Sequence, residues 1–296
     1  MQILQMPTPT ISIHADQFGP EQSARAVLCL EAGHDRFRFI ALDDRGQGQW
    51  LEDYAFPSLL TDRLPTDLLA DIFRDHPLLT ASPWQEIRVS INTPSFTLVP
   101  QPLYRKEYAG SYLALMRGSQ LPAHEFAQAY AHEAEGYLSV FSLSHDLADF
   151  FSEAYPLQPL TFVHQVGALL EATAALARQT PGEPTVYLYF EDEFVTVICR
   201  TGSALRYCNR FGYRNAQDLT YYVLYTLAEL QIDPETAVVM LYGEITPFAE
   251  RYTELSRFLA HLRFGTFPPG LTLSSDFSDL PDHRYLSLYG LCLMGE

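Results

Sequence analysis

The sequence predicts an α/β protein in which one unit occurs twice. Each of the two lobes would hold a mixed five-stranded sheet, a three-strand antiparallel meander plus parallel strands, flanked by helices. Three observations carry this. Residues Ala26 to Phe56 and Thr185 to Tyr213 both read strand, turn, strand, turn, strand, with glycine in the second turn of each, Gly46 and Gly48 against Gly202. Each meander is followed by a helical pattern and a further strand. The chain has 296 residues, 47% of them hydrophobic, enough for two cores. The expected organisation is an N-terminal arm or edge strand at 1–25, a first lobe at 26–160 and a second at 161–296.

The arm, with Pro7, Pro9 and Pro20, is polar and reads as extended. From Ala26 the runs Ala-Val-Leu-Cys-Leu, Phe37-Arg-Phe-Ile-Ala-Leu42 and Trp50 to Phe56 are separated by Glu31-Ala-Gly-His-Asp35 and by the glycine-bearing stretch Asp43 to Gln49. Leu68, Leu69, Ile72 and Phe73 fall at helical spacing over Thr66 to Arg74, with Asp67 in the first turn to favour the dipole and Pro77 as a stop. Strands are expected at Glu86 to Ile91 and Phe96 to Pro100, and a short helix at Tyr108 to Arg117. Tyr137 to Leu143 alternates as a strand, and Asp146 to Phe151 and Leu160 to Arg178 read as helices, the second with an Ala-rich face suited to close packing.

Pro181-Gly-Glu-Pro184 marks a boundary before the second meander, Val186 to Phe190, Phe194 to Cys199 and Ala204 to Cys208. Asn215, with Asp218 three positions on, caps a periodic helix carrying Leu219, Val223 and Leu227 and ending before Pro234. Tyr221, Tyr222 and Tyr225 cannot all share the face used by Leu219 and Val223, so some tyrosine there is expected at a surface or cleft. Ala237 to Tyr242 reads as a buried strand running into Gly243, and Pro247 to Leu262 as an amphipathic helix.

The formal charge of −17, from 36 acidic and 19 basic residues, repels phosphate backbones and anionic lipid, so nucleic acid is not an expected partner. All the basic residues but Lys106 are arginine. Cys29, Cys199, Cys208 and Cys292 are scattered and read as small hydrophobes in a reducing compartment. No apolar stretch is long enough to span a membrane and no signal-peptide order opens the chain, so a cytoplasmic protein without membrane insertion is expected.

The segments Ser95-Phe-Thr-Leu-Val-Pro100, Tyr187-Leu-Tyr-Phe-Glu-Asp192, Arg206-Tyr-Cys-Asn-Arg-Phe211, Asp218-Leu-Thr-Tyr-Tyr-Val223 and Leu241-Tyr-Gly243 resemble the bacterial domain-of-unknown-function family 3822. The resemblance runs over nearly the whole chain from Ala26 and implies an actin-like ATPase (ribonuclease H-like) fold. It also implies where nucleotide would be gripped: by a glycine-bearing turn between the first two strands of each half, with an acidic residue organising Mg²⁺. In the first half this points to Glu31 and Gly33. In the second it points to Asp192 within Glu191-Asp-Glu193, a turn with no glycine and three carboxylates. The adenosine site would use a glycine pair after a late strand, where Gly243 is followed by Glu244.

Glu31, Gly33, Asp192 and Gly243 are therefore the candidate cofactor-binding residues for ATP and Mg²⁺. Hydrolysis is not expected and nucleotide binding is left open, because the second turn would repel triphosphate. Lys106 lies far from Gly33 in the sequence. Arg36 or Arg38 could substitute electrostatically, though an Arg in a strand ordinarily stands on a solvated face.

The acidic triplet could hold a hard cation, but reads more simply as a solvated turn. His145-Asp146 with Asp149, and His124 with His132, lack ligand spacing, and no metal or catalytic site is assigned. No nucleophile elbow, P-loop or dinucleotide fingerprint occurs. The expected function is a non-catalytic interaction or regulatory module with degenerate nucleotide loops, its partner another protein and its oligomeric state unspecified. The enzyme alternative is an ATP-dependent phosphotransferase or ATPase.

Overall fold

Alternating apolar runs separated by tight turns leave each meander little choice but to pair with itself, and the remaining strands then add in parallel through helical crossovers. The structure, a computed structural model, describes residues 7–56, 63–179, 182 and 184–295. The first six residues of the arm, and Pro181 and Glu183 of the Pro-Gly-Glu-Pro boundary, lie outside them. The chain divides into two compact units, Met1–Gly167 with Leu271–Asp279, and Ala168–Gly270 with Leu280–Glu296.

In the first unit, β1 (Ile11–His14), β2 (Val27–Ala32), β3 (Arg36–Leu42), β4 (Gln47–Ala55), β5 (Glu86–Ile91) and β9 (Leu160–His164) form one sheet in the order β1-β4-β3-β2-β5-β9, with β15 (Thr272–Leu273) also pairing β4. Strand β3 is antiparallel to both β2 and β4, while β5 adds parallel to β2 and β9 parallel to β5. The crossover from β4 to β5 carries α1 (Pro65–Arg74), with proline in its first turn and Leu68, Leu69, Ile72 and Phe73 buried. Between β5 and β9 the chain inserts a second, three-stranded sheet of β6 (Phe96–Pro100), β8 (Tyr137–Ser144) and β7 (Glu125–His132), with α2 (Ala109–Arg117) packed on it through Ala109 and Leu113. Helix α3 (His145–Ala154) follows, its first turn capped by the Ser144 hydroxyl, which accepts from the Leu147 N–H.

In the second unit, β10 (Pro184–Phe190), β11 (Phe194–Thr201), β12 (Ala204–Gly212), β13 (Val238–Gly243) and β14 (His261–Phe264) give a five-stranded sheet ordered β12-β11-β10-β13-β14. Its senses repeat those of β4-β3-β2-β5-β9: antiparallel across the meander, parallel for the last two strands. Its core joins Val186, Leu188, Val197 and Val239 to Leu219, Val223 and Leu227 of α5 (Ala216–Glu229) and to Leu255 of α6 (Glu250–Leu255). Asn215 caps α5 by accepting from the Asp218 N–H at 2.7 Å. The Ala-rich face of α4 (Gln165–Ala177) receives α7 (Leu286–Leu293) at close range. A methyl on Gly290 would lie 1.9 Å from the Ala168 carbonyl oxygen, so only glycine lets these backbones approach.

The structure corrects the sequence reading at several points. Leu160–His164 is not the start of a helix but strand β9, in parallel register with β5 from Ile87↔Leu160 to Ile91↔His164. The strong alanine pattern after it invites extension of the helix backwards through Thr161, Phe162 and Val163, residues that fit a buried strand better. Pro247 to Leu262 likewise splits into the short α6 and strand β14, which pairs β13. The first sheet has seven strands rather than five, because β1 and β15 join its edge, and the three-stranded insertion is additional.

Candidate functional site

The two meanders match at the level of single hydrogen bonds. The β2–β3 turn closes with the Gly33 N–H donating to the Arg36 carbonyl at 2.9 Å, and the β10–β11 turn with the Glu191 N–H donating to the Phe194 carbonyl at 2.9 Å. Beyond them, the Asn92 N–H donates to the Ala32 carbonyl and the Glu244 N–H to the Phe190 carbonyl, both at 2.9 Å. Even the register shift in the outer strand pair recurs, between Ala41 and Leu42 in the first unit and between Cys199 and Arg200 in the second. Glu191 therefore stands where the first unit has Gly33, Asp192 where it has His34, and Glu244 where it has Asn92.

In the first unit, Glu31 is only 3% exposed and its carboxylate receives the Arg38 Nε–H at 2.8 Å, directly across the β2–β3 register. The expectation that Arg38 occupies a solvated face is overturned: it is as buried as its partner. Two charges are taken out of water together because each supplies the other's hydrogen bonds. Gly33 lies at the turn, with room for a Cβ only 3.3 Å from an Asp35 carboxylate oxygen and 3.4 Å from Asn92 Cβ. Beside it, at the carboxyl ends of β2 and β5, a cavity of about 410 Å³ is lined by Gly33, His34, Asn92, Thr93, Ser142 and Asp146 among others. Its size and its place beyond the ends of parallel strands are those of ligand sites in α/β sheets.

In the second unit, the acidic triplet is not a wholly solvated turn. Asp192 and Glu193 are exposed, but Glu191 is 8% exposed and lies 3.7 Å from the buried Arg210 guanidinium. The Glu191 carbonyl accepts from the Tyr213 hydroxyl at 2.8 Å and from Arg251 Nη1 at 3.0 Å. Arg251 also donates to the Glu244 carbonyl at 3.1 Å and bonds the Tyr213 hydroxyl, so one guanidinium ties the β10–β11 turn to the loop after β13. Burial pushes the Tyr213 hydroxyl's pKa up, although Arg251 pulls the other way.

Gly243 has φ +82°, and a Cβ there would lie 2.2 Å from the Phe190 carbonyl oxygen, so the glycine is demanded by strand approach. Its N–H donates to the His283 carbonyl at 2.8 Å. The imidazole of His283 in turn contacts the Ile245 carbonyl at 3.1 Å, and its pKa is lowered by burial.

These residues do not fit a triphosphate with Mg²⁺ in the second unit. A carboxylate replaces the glycine whose bare backbone would approach phosphate, and the Glu191 carbonyl accepts from Arg251. Arg210, Arg251 and His283 were not singled out in the sequence. Arg210 falls only within the segment Arg206–Phe211 that carries the family resemblance, Arg251 within a predicted helix, and His283 in no predicted element. Among the described residues, no group of three or more His, Cys, Asp or Glu is placed to hold a metal ion, and no helix is long and apolar enough to cross a membrane.

Comparison with known proteins agrees with this architecture. The chain matches, over 93% of its length and 98% of the other, a protein of actin-like ATPase fold and unknown function from Bacteroides thetaiotaomicron, at TM-score 0.78 and 18% identity. It matches the PilM–PilN type IV pilus biogenesis complex at TM-score 0.65 and 16% identity, over 90% of this chain and 97% of that one. A search of curated proteins finds no match. At these identities the likeness establishes an actin-like fold. With residues 15–262 matching the model described as protein of unknown function (DUF3822), the chain belongs to the DUF3822 family.

Proposed function

We propose that this protein is a non-catalytic actin-like module that works by binding another protein, its second nucleotide loop having been converted into a structural joint. The observation that carries this reading is Glu191, which stands at the position of Gly33 and is held against Arg210 while its carbonyl is clamped by Arg251. A loop built this way presents fixed negative charge and accepting carbonyls where a phosphate would require donating N–H groups. Glu31, the residue that would organise Mg²⁺ in the first unit, is engaged by Arg38. A solved neighbour of similar fold, PilM–PilN, is itself a complex, which is consistent with protein binding as the use of such a module.

The test is the melting temperature with millimolar ATP, ADP or GTP, with and without Mg²⁺. A ligand present at a hundred times its dissociation constant adds about 2.7 kcal/mol of stability, several degrees for a protein of this size. The expected result is no Mg²⁺-dependent shift. A clear upward shift that disappears in Gly33→Val would overturn the reading in favour of a nucleotide-binding enzyme.

A further inference from the structure

We propose that the outer edge of β12 is a docking strand for an extended, acidic segment of a partner protein. The proposal rests on the reading of the chain as an interaction module and gives that module a site and a partner chemistry. Its argument begins from the internal repeat. With the two turns and the two register shifts superposed, β4 corresponds to β12, Trp50 to Tyr207, Asp53 to Arg210, and the skipped residue Gln49 to Arg206.

In the first unit the outer edge of β4 is covered. The segment Ile11–His14 lies antiparallel on it, from Ile11↔Asp53 to His14↔Trp50. Just beyond its two ends, the Thr10 N–H donates to the Asp53 carbonyl at 2.7 Å and the Ala15 N–H to the Gln49 carbonyl at 2.8 Å. In the second unit, β12 ends the sheet and pairs, among the described residues, with β11 alone. Apart from the inward-turned Arg210 side chain, the residues of β12 are half-buried or exposed, whereas much of β4 is buried. A nine-residue edge strand without proline is a template for another strand, and by correspondence the Arg206 carbonyl is an acceptor an added strand would use.

Charge selects the occupant. Along the β11–β12 hairpin every charged residue is an arginine, Arg200, Arg206 and Arg210, with Arg214 just beyond it, in a chain of net charge −17; carboxylates nearby include Asp218, which accepts from the Arg214 N–H at 3.3 Å, and Glu229 beside Tyr225. Arg200 is turned inward, donating to the Leu170 and Ser203 carbonyls and to Thr173, and Arg210 is turned to Glu191 and Thr196. Arg206, near the start of the strand, and Arg214, two residues beyond its end, are exposed. Tyr222 of α5 stacks on Phe211 of β12 at 4.9 Å, which stands the exposed Tyr221 and Tyr225 alongside the edge, stacked on each other at 6.0 Å and 62% and 52% exposed. Arginines keep edges from pairing with each other, and a second copy would bring like charge to like. An alternating segment with carboxylates for Arg206 and Arg214, and apolar or aromatic residues for the tyrosines, matches the edge by backbone, charge and rings together.

The test pans a displayed library of random twelve-residue peptides on the full chain, then titrates the selected sequences as synthetic peptides. The expected sequences alternate Asp or Glu with Val, Ile, Phe or Tyr. Their affinity should fall at least about tenfold in Arg206→Glu/Arg214→Glu and weaken as salt is raised through about 0.5 M. They should also slow amide exchange along β12. Tyr221→Ala/Tyr225→Ala, which changes two exposed side chains, is the second variant and should also weaken binding.

Selected peptides that lack acidic residues, or that bind the charge-reversed variant unchanged, would overturn the proposal. So would an empty selection, or a chain that self-associates through β12. None of these outcomes bears on the nucleotide melting test, so the two readings fail separately.

Discussion

The two units share a strand order, a turn geometry and a bulge, yet they treat the same two places in opposite ways. At the first turn one unit has Gly33 and the other a buried Glu191 held to Arg210. At the outer edge one unit lays β1 over β4 and the other leaves β12 as the last strand. A duplicated scaffold keeps what its hydrogen-bond ladder needs and releases what the original site needed. Here the ladder is intact in both units, while the residues at its open end have diverged from glycine to glutamate and from asparagine to glutamate. The difference teaches that the fold of each half is held by the sheet and that the turns are free to be reassigned.

That comparison can be broken most directly at Gly243, whose counterpart Ile91 carries a full side chain. Gly243→Ala places a methyl against the Phe190 carbonyl at a positive φ, and is expected to cost about 4 kcal/mol or more, read as a lower denaturation midpoint or as loss of soluble protein. An unchanged midpoint would mean the strands can part at that position.

The next largest effects come from the ion pairs. Glu31→Gln leaves Arg38 buried without its carboxylate and should destabilise by about 3 kcal/mol, whereas Arg210→Met, which breaks the longer contact to Glu191, should cost about 2 kcal/mol. Equal costs, measured by chemical denaturation, would remove the distinction between a tight pair in the first unit and a looser one in the second.

The last contrast is a dependence on pH, read at Glu52 of the first unit. Burial by itself would raise the pKa of Glu52, but hydrogen bonds from His76, Tyr54 and Trp50 bring it down to about 2. The His76 contact is 3.0 Å, and Ser12 of the covering strand adds another bond at 2.9 Å. Since the folded value lies below the unfolded one, near 4.3, this contribution is complete above about pH 4.5 and is lost as pH falls toward 2. Glu52→Gln should therefore flatten the loss of stability between those values. The corresponding residue of the second unit, Asn209, carries no charge to titrate, and Asn209→Ala should leave the acid limb unchanged.

Much of this architecture was legible in the sequence because it depends on short-range patterns. Both meanders, α1, α2, α5 and strands β5, β6, β8 and β13 follow from apolar alternation or helical spacing bounded by proline and glycine. The Asn215 cap follows from side-chain chemistry three residues away. The surplus of tyrosines on α5 was also legible, since one helix face cannot hold Leu219, Val223 and three tyrosines. What failed were elements whose partner lies far along the chain. Leu160–His164 is a strand only because β5 offers it a parallel edge, and His261–Phe264 only because β13 does. Nothing local in Glu125–His132 announces β7, whose pairing with β8 decides it.

The candidate site divides in the same way. The sequence by itself determined that Glu31, Gly33, Asp192 and Gly243 fall at the turns and strand ends of a repeated unit, and that the second turn is acidic and lacks glycine. Only the tertiary structure decided that Glu31 is spent on Arg38, that Glu191 rather than Asp192 takes the glycine's place, and that Gly243 answers to the Phe190 carbonyl. It also decided that one edge is covered while its counterpart, among the described residues, ends the sheet. The reason is physical: composition and periodicity report how much a residue prefers burial, but a buried charge is tolerable only beside its partner. Arg38, Arg210 and Arg251 find theirs through strand register and helix packing that no local window of sequence contains.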